Sequence, residues 1–130
     1  MSRALGYMGA DILLSPCAWA VPPHHDNLKD PYGKTWRDAY VPVAKEFSVW
    51  MVGVSNVGTI TAGPWVDWNC IGCSLVIGPD GREILQGPYD VDAETILYVD
   101  VTTVKRPARG TGWQKHWQAQ TETNIIRSTV

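Results

Sequence analysis

The 130-residue sequence lacks any apolar run long enough to cross a membrane. Its longest apolar stretches have the length of a β-strand, whereas a membrane span needs roughly 20 consecutive apolar residues. The opening stretch MSRALGYMGADILL also lacks the sustained apolar segment and the small-residue cleavage site of a secretory signal. These absences predict a protein that does not enter a membrane and that resides in the cytoplasm.

Positive charge, paired cysteines and phosphate-binding glycines are also scarce or missing. The 11 Lys and Arg residues face 13 Asp and Glu residues, so the formal net charge of -2 provides no attraction for nucleic acid. Three cysteines without a secretory signal argue against a disulfide framework and indicate reduced thiols. A Walker phosphate loop, a Gly-x-Gly-x-x-Gly motif and internal repeats are absent, so nucleotide binding has no support.

What remains is the composition of one globular domain with a single core, 45% hydrophobic and 18% charged. The apolar pattern predicts helices that alternate with strands of the kind that sheets bury on both faces. In chain order these are a helix end over 2–8 that stops at Gly9, strand ADILLSP, a helix over 34–47, strand VWMVGV, a loop over 55–69, a hairpin in CSLVIGPDGREILQGP and strand TILYVDV. In the interior of a helix Pro42 would cost about 3 kcal/mol, so two short helical pieces are an alternative to one helix over 34–47.

A cysteine nucleophile with a histidine base is the first chemistry to consider, because Cys17 is followed by His24 and His25. Pro22 and Pro23 hold the intervening chain extended, so nearness in sequence implies no contact. The favoured interpretation of Cys17 is a small buried thiol that packs as a hydrophobe.

A metal site is the second possibility, because Cys70 and Cys73 form a C-x2-C pair. Structural zinc usually takes two such pairs, and a second pair is missing. The stretch after Cys73 continues directly into a strand, so both cysteines are expected to pack in the sheet. We therefore expect no metal.

A general acid/base pair is the third possibility, although nothing in the sequence singles out one carboxylate. The candidates are Asp26, Asp30, Asp38 and Glu46. The last two fall on the predicted solvent side of the helix over 34–47, where carboxylates are ordinarily just solvated.

Tryptophan is abundant, with seven residues. Trp36 and Trp50 occupy positions that the core pattern already explains. Trp19, Trp65 and Trp68 fall in predicted loops, so they are the better candidates for lining a ligand pocket.

The order of four segments resembles the C-terminal half of the carbon-nitrogen hydrolases, the nitrilase superfamily. These segments are RALGYMGADILLSPCAW, SVWMVGVSNVG, CIGCSLVIGPDGREILQGP and TILYVDVTTVKRPAR, and the resemblance covers residues 2 to about 107. It implies an α/β fold, part of a four-layer α-β-β-α sandwich, that assembles into dimers or larger oligomers. Residues 1–107 would then be the C-terminal part of the hydrolase domain, and 108–130 a polar tail.

The resemblance also implies the chemistry, which is hydrolysis of nonpeptide C–N bonds in nitriles, amides or carbamoyl compounds without a metal or organic cofactor. A Glu-Lys-Cys triad performs it, with glutamate as general base, lysine beside the oxyanion and cysteine as the nucleophile. In the family all three precede the counterpart of RALGYMGAD, so we expect this chain to lack them. It would be a truncated or mis-started relative, or one half of an enzyme that a second polypeptide completes.

The resemblance assigns Cys17, Ala18 and Trp19 to the wall of the substrate pocket rather than to catalysis. The histidine pair at 24–25 would border the active-site entrance or an interface, and Asn56 would support a strand end. Without the N-terminal half, sheet edges and apolar strand faces would be exposed, so we expect association rather than a stable monomer. Two alternatives stay open: a noncatalytic module that pairs with a full-length relative, and a self-contained thiol hydrolase based on Cys17.

Overall fold

The structure, a computed structural model, describes residues 1–105. Within that range the chain forms two helices and seven strands. In chain order they are α1 (Ser2–Tyr7), β1 (Ile12–Cys17), β2 (Ala20–Val21), α2 (Tyr32–Phe47), β3 (Trp50–Ser55), β4 (Val57–Thr59), β5 (Asn69–Ile71), β6 (Leu75–Ile77) and β7 (Glu83–Gln86). The predicted boundary at 107 and the predicted tail over 108–130 lie outside the described residues.

The larger sheet has four strands in the order β1-β3-β6-β7. Strands β1 and β3 are parallel, with Leu13 opposite Met51 and Cys17 opposite Ser55. Parallel neighbours need a crossover connection, and α2 supplies it on one face of the sheet. Strands β6 and β7 extend the sheet antiparallel, as the predicted hairpin with its turn at 78–81.

A smaller antiparallel sheet, in the order β2-β5-β4, was missed in the sequence. Residues 55–69 were predicted to be one loop, but they contain β4 and the first residue of β5. The reason is length and composition: β4 has three residues with Gly58 in the middle, at φ 106°, and its pairing partner follows a nine-residue loop. Such a strand carries no period-2 pattern that a sequence could reveal.

The core lies between the four-stranded sheet and α2. Trp36 is 2% exposed, and it packs directly over β3 at Gly53, where an added Cβ would lie 2.3 Å from the indole ring. Trp50 is also buried, so the core assignment of these two tryptophans is confirmed. Glycine at position 53 is therefore what lets the helix approach the sheet so closely.

Helix α2 runs unbroken from Tyr32 to Phe47, so the alternative of two short pieces is wrong. Pro42 is exposed, and the carbonyl that its missing N–H leaves free belongs to the exposed Asp38, where water can reach it. The Asn27 side-chain oxygen accepts a 2.8 Å hydrogen bond from the Tyr32 backbone N–H at the start of the helix.

The sheet face opposite α2 is largely uncovered beside β1, so the prediction that ADILLSP is buried on both faces is wrong. Leu14 is 73% exposed, Val54 55% and Ile12 39%. We call these residues, together with Pro16, the open face. No described helix or strand covers Ile12, Leu14 and Pro16, whereas Val54 borders the groove that Leu97 and Val99 also line.

Residues 95–101, predicted as a strand, join neither sheet of the described part. Alternate side chains of this segment, including Leu97 and Val99, line a groove of about 250 Å³ against Val76 and Leu85 of the sheet. The Trp50 indole nitrogen donates a 2.9 Å hydrogen bond to the Thr102 carbonyl and fixes the far end. The segment therefore lies over the sheet and not within it. None of the described helices combines the length and apolarity needed to cross a membrane.

Candidate functional site

A cavity of about 470 Å³ lies beyond the carboxyl end of β1. Strand β2, the loop between β4 and β5, and the start of α2 form its walls. Its lining residues include four aromatic side chains and two ionisable ones, namely Trp19, Tyr32, Trp65, Trp68, His25 and Asp30. Clefts outside the carboxyl ends of strands are where α/β proteins generally bind ligands.

The three tryptophans predicted to be pocket candidates come together here, although more than 40 positions separate the first from the others. Trp65 and Trp68 pack edge to face, with ring centroids 4.7 Å apart and planes 77° apart. Trp19 remains 45% exposed and Trp65 55% exposed. Large aromatic surfaces left accessible at a concave site are characteristic of ligand recognition.

Two aromatic residues of α2, Tyr32 and Trp36, hold Trp19 in place. The Tyr32 hydroxyl donates a 3.1 Å hydrogen bond to the Trp19 carbonyl. The Trp19 ring also packs against Trp36 at 5.3 Å and against Tyr32 at 6.5 Å. Burial raises the pKa of Tyr32, so its hydroxyl keeps its proton and remains a donor.

The loop over 60–68 is closed by its own backbone, which fixes Trp65 and Trp68. Ile60 N–H donates to the Trp68 carbonyl at 2.8 Å, and Asp67 N–H donates to the Ile60 carbonyl at 2.9 Å. Asp67 has φ 67°, the left-handed conformation that closes the turn. The two indoles are therefore presented by an ordered turn.

Ionisable groups enter the cavity wall from the loop between β2 and α2. The Asp30 carboxylate forms no hydrogen bond or ion pair with another residue of the described range. The His25 Nε2 atom is buried and finds no hydrogen-bond partner within 1–105. Asp26, by contrast, accepts from the Leu28 N–H at 3.0 Å and pairs with Lys29, which lowers the pKa of Asp26.

Cys17 forms no described hydrogen bond with His24 or His25, and it does not line this cavity. Its Sγ donates to the Val54 carbonyl at 3.4 Å and to the Ser15 carbonyl at 3.5 Å. Burial raises the pKa of the Cys17 thiol, which disfavours the thiolate that a nucleophile needs. Ala18 and Trp19, the other two residues predicted to bind substrate, do line the cavity. Substrate binding by all three stays a prediction.

The other residues that the sequence singled out, Cys70, Cys73 and Asn56, lie outside this cavity. Cys70 and Cys73 are 5% and 3% exposed, which confirms that they pack in the interior. Residues 1–105 contain no cluster of three metal-ligating side chains. Asn56 joins the strand ends through its backbone, because its N–H donates to the Cys17 carbonyl at 3.0 Å and its carbonyl accepts from Gly72 N–H at 3.1 Å.

Comparisons with known proteins find the fold but no sequence relative. No protein-family model and no curated protein matches the chain. Among solved structures, a carbon-nitrogen hydrolase from Helicobacter pylori G27 matches with a TM-score of 0.58 and 20% identity over 68% of this chain and 32% of that one. A mutant of the Nesterenkonia AN1 amidase from the nitrilase superfamily matches with a TM-score of 0.51 and 22% identity, over 69% and 29%.

The helix-backed mixed sheet and its neighbours in structure define the class, an α/β fold shared with carbon-nitrogen hydrolases. It is, more narrowly, the fold of the nitrilase superfamily, and this confirms the fold class predicted from the sequence. The matched region spans about a third of each of these two enzymes. The described chain therefore corresponds to a part of that fold.

Proposed function

We propose that the chain is part of a carbon-nitrogen hydrolase that acts on the nonpeptide C–N bond of a nitrile or amide. The observation that supports this most directly is the aromatic cavity at the carboxyl end of β1, in a chain with part of the nitrilase fold. In this proposal Ala18 and Trp19 form a wall of the substrate pocket, with Cys17 behind them. The Glu-Lys-Cys triad belongs to polypeptide outside these 130 residues.

The chemistry would divide between the two parts of the enzyme. For an amide, the triad cysteine attacks the carbonyl carbon, ammonia leaves with a proton from the glutamate, and water then hydrolyses the thioester to the acid. The lysine stabilises the oxyanion in both steps. This chain orients the substrate through its tryptophan-lined wall, which contributes by fixing the reacting carbon near the nucleophile.

The open face supports association with a second polypeptide. Fully burying an exposed leucine or valine side chain contributes about 1.5–3 kcal/mol, and Leu14 and Val54 are both more than half exposed. Among the described strands β1 is also at the edge of its sheet, and exposed edge strands are sites where a further strand can pair. A partner that covers this face and edge would complete the sheet packing, and the proposal assigns that place to the triad-bearing polypeptide or to another copy of this chain.

The test is complementation. The 130-residue chain is coexpressed with a triad-bearing N-terminal fragment of a carbon-nitrogen hydrolase, and ammonia release from short aliphatic amides and nitriles is measured. We expect copurification and ammonia release. The open-face substitution Leu14→Glu should abolish both, whereas Leu28→Glu, at a 95% exposed position away from the sheets, should leave both unchanged.

The outcomes separate the competing functions. Copurification without ammonia release would favour the noncatalytic module, and absence of copurification would contradict an interface on the open face. A Cys17→Ser variant tests the thiol-hydrolase alternative, because unchanged ammonia release would exclude Cys17 as the nucleophile. Sequencing the coding DNA upstream of Met1 gives an independent check, since an open frame that encodes Glu, Lys and Cys would identify the triad-bearing polypeptide.

A further inference from the structure

One carboxylate in the wall of the tryptophan cavity forms no contact ion pair. Lys29 pairs with Asp26 at 3.3 Å, and Lys34 pairs with Asp38 at 2.5 Å. Asp30 lies between these pairs, lines the cavity and has no ion-pair partner in the described range. The wall of the cavity therefore carries an exposed carboxylate that no described cation contacts, although Lys34 lies near enough for its charge to interact with that of Asp30.

Aromatic rings form the rest of the recognition surface. The Trp65 and Trp68 planes, at 77°, make a corner, and Trp19 lines the same cavity. The faces of indole rings attract cations, and Trp is the most effective residue for this purpose. These three indoles share the cavity lining with Asp30, and aromatic rings together with a carboxylate are the kinds of group that aromatic cages use for alkylated ammonium ions.

Most residues that line the cavity are apolar or aromatic, which distinguishes between kinds of cation. A primary ammonium presents three N–H donors and needs an acceptor for each. The Trp19 carbonyl already accepts from Tyr32, and the lining side chains with acceptor atoms include Asp30, Thr35 and His25, whose Nε2 has no hydrogen-bond partner within 1–105. An alkylated ammonium needs no acceptors, so the cavity suits it better.

We propose that this cavity binds an alkylated ammonium group, with the tryptophan faces as its cage and Asp30 as its counter-charge. The inference rests on the proposed function in one respect, namely that the group belongs to the amide or nitrile substrate. The substrate class is then a nitrile or amide that carries a positively charged, alkylated nitrogen.

Direct binding tests this without any enzymatic readout. Choline and its uncharged isostere 3,3-dimethylbutan-1-ol are titrated into the 130-residue chain at pH 8, where histidine side chains are generally neutral, with calorimetry as the measurement. We expect choline to bind about tenfold more tightly than the isostere. Asp30→Asn should weaken choline binding severalfold and leave the isostere unaffected, whereas Asp100→Asn, an equal charge change outside the cavity, should alter neither.

A tryptophan variant separates charge from ring geometry. Trp65→Leu should remove most of the preference for choline, and Trp65→Phe, which keeps an aromatic face in the same loop, should retain part of it. Equal affinities for choline and the isostere, or no binding of either, would overturn the inference. For this comparison the complementation experiment also includes an amide that carries a trimethylammonium group. Choline binding without ammonia release from either the aliphatic or the cationic amide would contradict the proposed function alone, so the two failures are distinguishable.

Discussion

The two faces of the four-stranded sheet contain the same kinds of side chain in different surroundings. Toward α2, Leu13 and Met51 are 6% and 1% exposed. One residue further along each strand, Leu14 is 73% exposed and Val52 is half-buried, while Val54 is 55% exposed. Residue type does not distinguish the faces, because both are aliphatic. The difference is that a helix covers one face and no described element covers the other beside β1.

The residue composition of these strands is typical of a sheet that is covered on both faces. A sheet with one solvated face normally alternates apolar and polar residues, whereas a doubly covered sheet has continuous apolar strands. Strands β1 and β3 are of the second kind, with ILLSPC and WMVGVS. The exposed apolar residues of the open face are therefore the observation on which the proposed association with a second polypeptide depends.

The largest expected effect is a difference in the free energy of unfolding between substitutions on the two faces of the sheet. Trp36→Ala should lower the free energy of unfolding by about 3–5 kcal/mol, since it opens a cavity under α2. Leu14→Ala, on the open face, should cost less than about 1 kcal/mol in the chain alone. Urea titration followed by circular dichroism measures both. Equal losses would mean that the open face is covered in solution.

A second pair tests how tightly each face is packed. Gly53→Ala should cost about 1–3 kcal/mol, because the new methyl group would meet the Trp36 and Tyr40 rings at 2.3 and 2.7 Å. Val54 is the next residue and lies on the open face, so Val54→Ala should leave the free energy of unfolding nearly unchanged. Thermal unfolding of the two variants is the measurement, and a neutral Gly53→Ala would argue against the close approach of α2 to β3.

A smaller effect concerns the thiol at the end of the covered face. Burial raises the pKa of Cys17, so its alkylation by iodoacetamide should be slower at pH 8 than that of a free thiol, with a rate that rises at higher pH than usual. The same shift makes the free energy of unfolding fall as pH rises past the pKa of the unfolded thiol, about 8.5. A Cys17→Ser variant should lack this loss, and fast alkylation at pH 8 would contradict the burial.

The smallest expected effect lies at the rim, where Arg37 of α2 pairs with Glu83 of β7 at 2.6 Å. Both side chains are over a third exposed, so Glu83→Gln should cost only about 0.2–1 kcal/mol, and less in 1 M salt. Asp38→Asn, which breaks a pair within α2, is the control for a purely local contact. A loss of several kcal/mol at Glu83 would mean that the pair is shielded from water.

Sequence patterns within a short stretch predicted the helices and strands that depend mainly on neighbouring residues. The apolar spacing of Trp36, Tyr40, Val43 and Phe47 indicated α2, and the turn at 78–81 indicated the hairpin of β6 and β7. The strand predicted over 95–101 is wrong because strand propensity reflects packing against neighbours, and this segment has no strand beside it in the described chain. The short β4 failed because only its pairing with β5 makes it a strand.

The candidate site was only partly predictable for the same reason. Trp19, Trp65 and Trp68 stood out as aromatic residues in loops, yet nothing local implied that they meet. Their convergence depends on the pairing of β2 with β5, which sets Ala20 opposite Cys70. The sequence likewise did not reveal that Asp30 forms no contact ion pair, because this depends on the carboxylates that the neighbouring lysines contact.

Local sequence patterns were enough to indicate β1, α2, β3 and the hairpin of β6 and β7, and to exclude a long apolar run, because propensity and periodicity are properties of neighbouring residues. Tertiary structure alone decided which sheet face α2 covers, that the Cys17 thiol is directed to backbone carbonyls, and that three tryptophans share a cavity. These features depend on contacts between residues far apart in the chain, which no local pattern specifies.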